Sequence, residues 1–201
     1  KLADGAVTAA KIADGSVTQQ KLAPGIVAQT TSNLALLRWD LLRSQSNFAV
    51  GSSPTSIAFD GANIWVASAS SDDVTKLRAS DGALQGTFSQ PLLNPVGIAF
   101  DGTNIWVAGG GTTFLRASDG ENLGTMSNGK NAVGVAFDGL YIWIGYSDTN
   151  YVTLNRQYQP AFLPAVPVGT APIAIAFDGV NIWVANSGSN SLTRIATGFN
   201  K

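Results

Sequence analysis

The chain has 201 residues, with 22 Gly, 8 Pro, no Cys, no His and a formal net charge of −1. Without Cys there is no disulfide framework, thiol nucleophile or Cys-ligated zinc, and without His the commonest general base and transition-metal ligand is missing. A near-neutral balance without basic runs argues against a nucleic-acid surface, and no apolar run approaches the roughly 20 residues of a membrane span.

The first 30 residues carry a ten-residue repeat. It reads Lys1-Leu2-Ala3-Asp4-Gly5-Ala6-Val7-Thr8, then Lys11-Ile12-Ala13-Asp14-Gly15-Ser16-Val17-Thr18, then Lys21-Leu22-Ala23-Pro24-Gly25-Ile26-Val27. Each decad offers two apolar side chains five residues apart, with a Gly-containing turn between them. One chain alone leaves Leu2, Val7, Ile12, Val17, Leu22 and Val27 exposed, whereas several chains wound together bury them. The decads resemble those in shafts of phage tail fibres and of fibre-like proteins of contractile injection systems. The resemblance implies a homo-oligomer, with trimers the usual solution. Residues 1–20 do not read as a signal peptide, and Lys1 is not an initiator methionine, so the sequence reads as a fragment or a processed form.

Residues 31–46 read as a neck. Ser32 or Asn33 can cap a helix, and Leu34, Leu37 and Leu41 fall at a/d spacing. A helix of about 12 residues is marginal alone. Leu36, Trp39 and Leu42 widen its apolar stripe, so it is expected to pack against copies of itself or against the domain that follows.

From residue 47 a second repeat organises the chain. The block Ile57-Ala58-Phe59-Asp60-Gly61-Ala62-Asn63-Ile64-Trp65-Val66-Ala67 returns as 98–108, 135–145 and 175–185, with Phe59, Phe100, Phe137 and Phe177 spaced 41, 37 and 40 residues apart. A period near 40 holding several short strands is what a propeller blade requires. Within one repeat, residues 57–59 read as strand a, 64–67 as b, 74–78 as c and 86–89 as d. Asp60-Gly61 and Ser80-Asp81-Gly82 read as tight turns, because Gly takes positive φ cheaply and Asp bonds its local backbone. Strands a and b are apolar on both faces, as expected for sheets sandwiched between neighbouring blades. The Ala of each Ile-Ala-Phe marks a close approach of the next blade.

Counting strands leaves the last blade one short at its end, and residues 47–51 (Asn-Phe-Ala-Val-Gly) fit as its outer strand. The expectation is therefore sixteen strands in an all-β, four-bladed β-propeller over 47–201. Pairing of Phe48–Gly51 with Leu192–Ile195 of the same or a neighbouring chain would close it, since an open ring leaves unpaired edges. A ring assembled from several chains, or a longer protein with more blades, satisfies the repeats as well.

The phrase Ile175-Ala176-Phe177-Asp178-Gly179-Val180-Asn181-Ile182-Trp183-Val184-Ala185-Asn186-Ser187-Gly188-Ser189-Asn190-Ser191-Leu192-Thr193 closely resembles bacterial YVTN-type propeller repeats. It is similar as well to those of the virginiamycin B lyase-like group. The likeness covers all four repeats and implies the fold more than a function, because propellers host many unrelated activities. The lyases it resembles depend on histidine, which this chain lacks.

No catalytic residue, metal site or cofactor is expected. Asp60, Asp101, Asp138 and Asp178 offer the oxygen ligands of an axial cation, but the turns account for each of them. Arg78 and Arg116 precede Ser-Asp-Gly and read as local ion-pairing groups. The loops after strand b vary most, and they carry hydroxyl, amide and aromatic groups suited to hydroxyl-rich ligands. The candidates there are Tyr146, Asp148, Asn150 and Tyr151 of the third repeat, Tyr158 of its 157–163 insertion, and Asn186 and Asn190 of the fourth. Loops on a rigid scaffold are where binding usually resides. The expected function is a non-enzymatic component of an extracellular, cell-surface or phage-tail-like fibre, whose propeller head attaches to surface glycans or to other fibre components. A lyase-like enzyme and a generic surface-layer scaffold are the alternatives.

Overall fold

The computed structural model describes residues 46–91, 93–127, 131–156 and 165–197. The expected shaft and neck helix, with Leu2, Val7, Ile12, Val17, Leu22, Val27, Leu34, Leu37 and Leu41, lie outside the described residues, as does Tyr158. The chain divides into units at 1–47 and 48–201, and the second holds every described strand.

Among the described residues fifteen strands form four antiparallel sheets in chain order. The first blade is β1 (Pro54–Phe59), β2 (Asn63–Ser68), β3 (Asp73–Arg78) and β4 (Leu84–Ser89). The second is β5 (Gly97–Phe100), β6 (Asn104–Ala108), β7 (Thr112–Arg116) and β8 (Asn122–Met126). The third is β9 (Ala132–Phe137), β10 (Tyr141–Tyr146), β11 (Tyr151–Arg156) and β12 (Ala165–Pro167). The fourth is β13 (Pro172–Phe177), β14 (Asn181–Asn186) and β15 (Ser191–Ala196). The chain is an all-β, four-bladed β-propeller. The turn after each inner strand fixes the register. Gly61, Gly102, Gly139 and Gly179 sit at φ 96 to 100° with no atom near a would-be Cβ, so the dihedral alone selects glycine there.

Successive blades stack inner strand on inner strand: β1 on β5, β5 on β9 and β9 on β13. One rule generates the three seams. The face bearing Trp65, Ala67 and Val74 meets Ile98, Ile105, Val107 and Leu115 of the second blade. In the same way Trp106 and Ala108 meet Val135, Ile142 and Ile144, and Ala136 and Trp143 meet Ile182, Val184, Ile175 and Phe177. Both faces of β5 and β9 are thereby covered by neighbouring blades, in keeping with their unbroken apolar runs, whereas β1 and β13 each have only one face in a formed seam. The alanine of Ile-Ala-Phe packs into the seam with the next blade, and the backbones also come close two residues earlier on that face. A Cβ added at Gly97 would stand 3.3 Å from the Gly134 Cα.

The first seam also holds a charge. Lys76 is buried, with its Nζ 4.9 Å from the Trp65 ring centroid, and it donates to the carbonyls of Ala117 and Ser118 in the second blade at 2.7 and 3.0 Å. A buried ammonium needs such partners, and the β7–β8 turn of the second blade supplies them.

Closure differs from the expectation. Among the described residues the fourth sheet has three strands rather than four, and residues 47–51 pair with no strand there. Their contacts are with the first blade instead. The Phe48 ring covers Gly82, Ser71 and Asp73 crowd Gly51, and the Ser52 N–H donates to Ser71 Oγ at 2.9 Å. Among the described residues no contact comparable to the three inner-strand seams joins β13 to β1. Ile57 is consequently 69% exposed, whereas Ile98, its equivalent in the second blade, is 7% exposed.

Candidate functional site

Each Asp-Gly turn is braced by one aspartate. Asp101 Oδ1 accepts from the backbone N–H groups of Thr103 and Asn104 at 2.9 and 2.7 Å, while Oδ2 accepts from Trp106 Nε1 at 2.6 Å. Asp60, Asp138 and Asp178 repeat this with Trp65, Trp143 and Trp183 at 2.7, 2.6 and 2.7 Å. The side-chain amides of Asn63, Asn104 and Asn181 also donate to these carboxylates. In the third blade Tyr141 stands at that position. The tryptophan is five residues from its aspartate, across the hairpin, so one carboxylate ties the turn to the seam. Four aspartates engaged in this way serve the fold, and among the described residues no cluster of acidic groups is placed to hold a cation.

These bonds act on protonation. The Trp183 indole N–H, followed by the backbone N–H groups of Asn181 and Val180, holds the Asp178 carboxyl well below the ordinary carboxylate range. At Asp60 partial burial pushes upward but is outweighed by the bonds from Trp65, Ala62 and Asn63, and the net direction is again down. A carboxylate with a depressed folded-state pKa stabilises the protein above its unfolded value near 4, and that contribution is lost as pH falls through the folded value. The melting temperature of the native chain should therefore fall more steeply below pH 4 than that of a D60N/D178N variant, which starts lower at neutral pH. Parallel curves for the two proteins would contradict this.

Other charged groups are local too. Arg78 pairs with Asp81 at 3.0 Å, and Arg116 with Asp119 at 2.9 Å and Glu121 at 2.5 Å, all solvent-exposed. Such pairs contribute little to stability.

The loops after the second strand of each blade lie at one end of the sheets, alongside the segments that carry the chain into the next blade. A cavity of about 380 Å³ opens there between the second and third blades, lined by Leu93, Asn94, Val96, Gly109, Gly110, Asn131, Ala132, Val133 and Ser147. Its wall is held by backbone bonds from Gly110 N to Leu93 O, Ala132 N to Gly109 O and Ser147 N to Asn131 O, at 2.8, 2.8 and 3.1 Å. Gly109 permits this, because a Cβ there would meet the Leu93 and Asn94 carbonyls at about 3 Å. Asn94 and Asn131 are exposed at the rim.

Solved structures share this architecture at low sequence identity. A computationally designed protein, Ika4, superposes with a TM-score of 0.65 at 13% identity, over 76% of this chain and 96% of its own. Hydrazine synthase of Kuenenia stuttgartiensis superposes with a TM-score of 0.64 at 16% identity, over 77% of this chain and 49% of its own. The WD40 repeats of RRP9 superpose with a TM-score of 0.57 at 15% identity, over 71% and 50%. The β-propeller fold is shared. No family model matches the chain, and no curated protein matches it in sequence.

The propeller places the expected loop residues in two groups. Asp148 and Asn150 are exposed in the β10–β11 loop, beside Ser147 of the cavity wall, and Tyr151 is half-buried where β11 begins. Tyr146 is buried in the second seam. Its ring meets Tyr151 edge-on at 6.3 Å and its hydroxyl accepts from Thr153 at 3.5 Å. Asn186 ends β14, and Asn190 lies in the β14–β15 loop. Asn186 is buried and donates to Thr193 Oγ1 at 2.9 Å, whereas Asn190 is an exposed turn residue at φ 48°. Tyr146 and Asn186 thus hold loops in shape, and Asp148, Asn150, Tyr151 and Asn190 carry the accessible groups. Sequence reasoning passes over Asn94 and Asn131, because the segments linking blades lie outside the repeated phrase.

Proposed function

We propose that the chain is a non-enzymatic binding and assembly component of an extracellular or phage-tail-like fibre. Residues 1–30 join several copies into a shaft, 31–46 form the neck, and the propeller head presents its loop end to a surface. Three copies are the usual number in fibres of the kind the decads resemble. The cavity between the second and third blades supports this reading most: it combines an apolar floor with the amides of Asn94 and Asn131 and the neighbouring Asp148, Asn150 and Tyr151. Amide, carboxylate and aromatic groups around a shallow cavity suit hydroxyl-rich glycans, and several heads on one shaft would sum weak contacts into firm attachment.

A glycan array probed with the full chain tests this. Binding should appear for a subset of glycans and fall about tenfold in an N94A/D148A variant, the loss expected for about 1.4 kcal/mol of hydrogen bonding. The variant should stay folded and melt only slightly below the parent protein, since both residues are exposed and alanine at position 94, where φ is 60°, costs about 1 kcal/mol. No glycan binding by the parent, or equal binding by the variant, would overturn the head's assigned role.

A further inference from the structure

We propose that the seam between the fourth and first blades is a docking surface for a second copy of this chain, the fourth blade of one protomer seating on the first blade of the other. The inference needs neither the shaft nor a glycan.

Both halves of this seam follow the rule of the three that are formed. On the first blade, Ile57 and Phe59 are the equivalents of Ile98 and Phe100 and lie 69% and 56% exposed. The turn Arg78-Ala79-Ser80-Asp81-Gly82 has the same five residues as Arg116-Ala117-Ser118-Asp119-Gly120. In the second blade that turn offers the Ala117 and Ser118 carbonyls to Lys76 and its Gly120 to the Phe88 ring. In the first blade Phe48 already covers Gly82 as Phe88 covers Gly120. A residue that serves the outer strand elsewhere is thus in place, but with no sheet behind it.

The fourth blade supplies what is missing. Arg194 pairs across the ladder with Trp183 as Lys76 does with Trp65. Seated on a first blade, it reaches the Ala79 and Ser80 carbonyls. Ala174, Ala176 and Leu192 on the same face are exposed, Leu192 at 67%. Among the described residues the edge of β15 carries no partner strand, and residues 47–51 of the other copy fit there as its outer strand.

Within one described chain these halves do not meet, and each is a large apolar face of the kind that marks an interface. A contact of different surfaces, head to tail, satisfies both only when it closes. Two copies related by a twofold axis close it with two identical seams, each continuing a packing rule used three times already within the chain.

The chain has no Cys, so introduced thiols report cleanly. In the third seam a Cβ at Gly145 stands 3.5 Å from Ile175 Cγ1, and the equivalent pair across the open seam is Ala185 and Ile57. Full-length A185C and I57C chains, mixed and oxidised, should give a covalent dimer on a non-reducing denaturing gel. Neither chain alone should do so, nor an off-seam mixture of D148C with I57C. The mixture of A174C with S56C, the counterpart of the close approach between Gly134 and Ala174, is a second pair. Absence of dimer from both seam mixtures overturns the proposal, as does a bridge formed only within a single A185C/I57C chain, because the chain's own fourth blade would then fill the seam.

Discussion

Replacing Trp106 by alanine should cost about 4 kcal/mol of folding stability, within the range for truncating a buried Trp. The side chain is buried, it stacks on Phe114 at 4.9 Å, and its indole N–H is spent on Asp101. Truncation therefore removes a large part of the contact surface of the second seam and leaves a cavity among Val135, Ile142 and Ile144. A domain with total stability of about 5–15 kcal/mol would lose a large share of it. Urea unfolding of the two proteins measures the difference. W183A serves as the comparison, because Trp183 occupies the same place in the repeat but lies half-buried on the open seam. Equal losses at 106 and 183 in a monomeric preparation would contradict the seam assignment.

Asp101→Ala should cost about 3 kcal/mol, the sum of a lost turn cap and a buried indole donor left without an acceptor. Asp101 is buried, so water cannot replace it, whereas Asp178 is exposed and D178A should cost clearly less. Thermal melts of D101A and D178A decide this, and a D178A loss as large as that of D101A would count against the role given to burial.

Much of the fold is legible in the chain because the physics is local and repeated. Ile-Ala-Phe-Asp-Gly spells an inner strand and the turn that ends it, and four copies at nearly one period leave little choice of architecture. The Asp–Trp bond is hidden for a simple reason. The turn already explains the aspartate, and nothing in a linear phrase shows that residue i+5 swings back over it. Closure is not legible either. Ile57 and Ile98 sit in the same phrase, and only packing distinguishes the exposed one from the buried one. Phe48 reads as an outer-strand residue by its resemblance to Phe88, and it covers the Gly82 turn as Phe88 covers Gly120, yet no described strand pairs with the free edge of β15. The candidate site is half legible. Asp148, Asn150 and Tyr151 stand in a variable loop, but the cavity beside them is walled by Leu93–Val96 and Asn131–Val133, segments whose proximity depends on two blades packing. Tyr146 and Asn186 look available in the sequence because polar loop residues usually are, whereas the end of each second strand turns them inward.

The account depends most on each blade's turn being tied to its seam through one carboxylate and one indole. A double-mutant cycle on Asp101→Ala and Trp106→Phe isolates that bond, since phenylalanine keeps the stacking ring and drops only the N–H. The predicted coupling is about 2 kcal/mol, the magnitude of a buried hydrogen bond to a charged group. Additive losses from the two substitutions would contradict it.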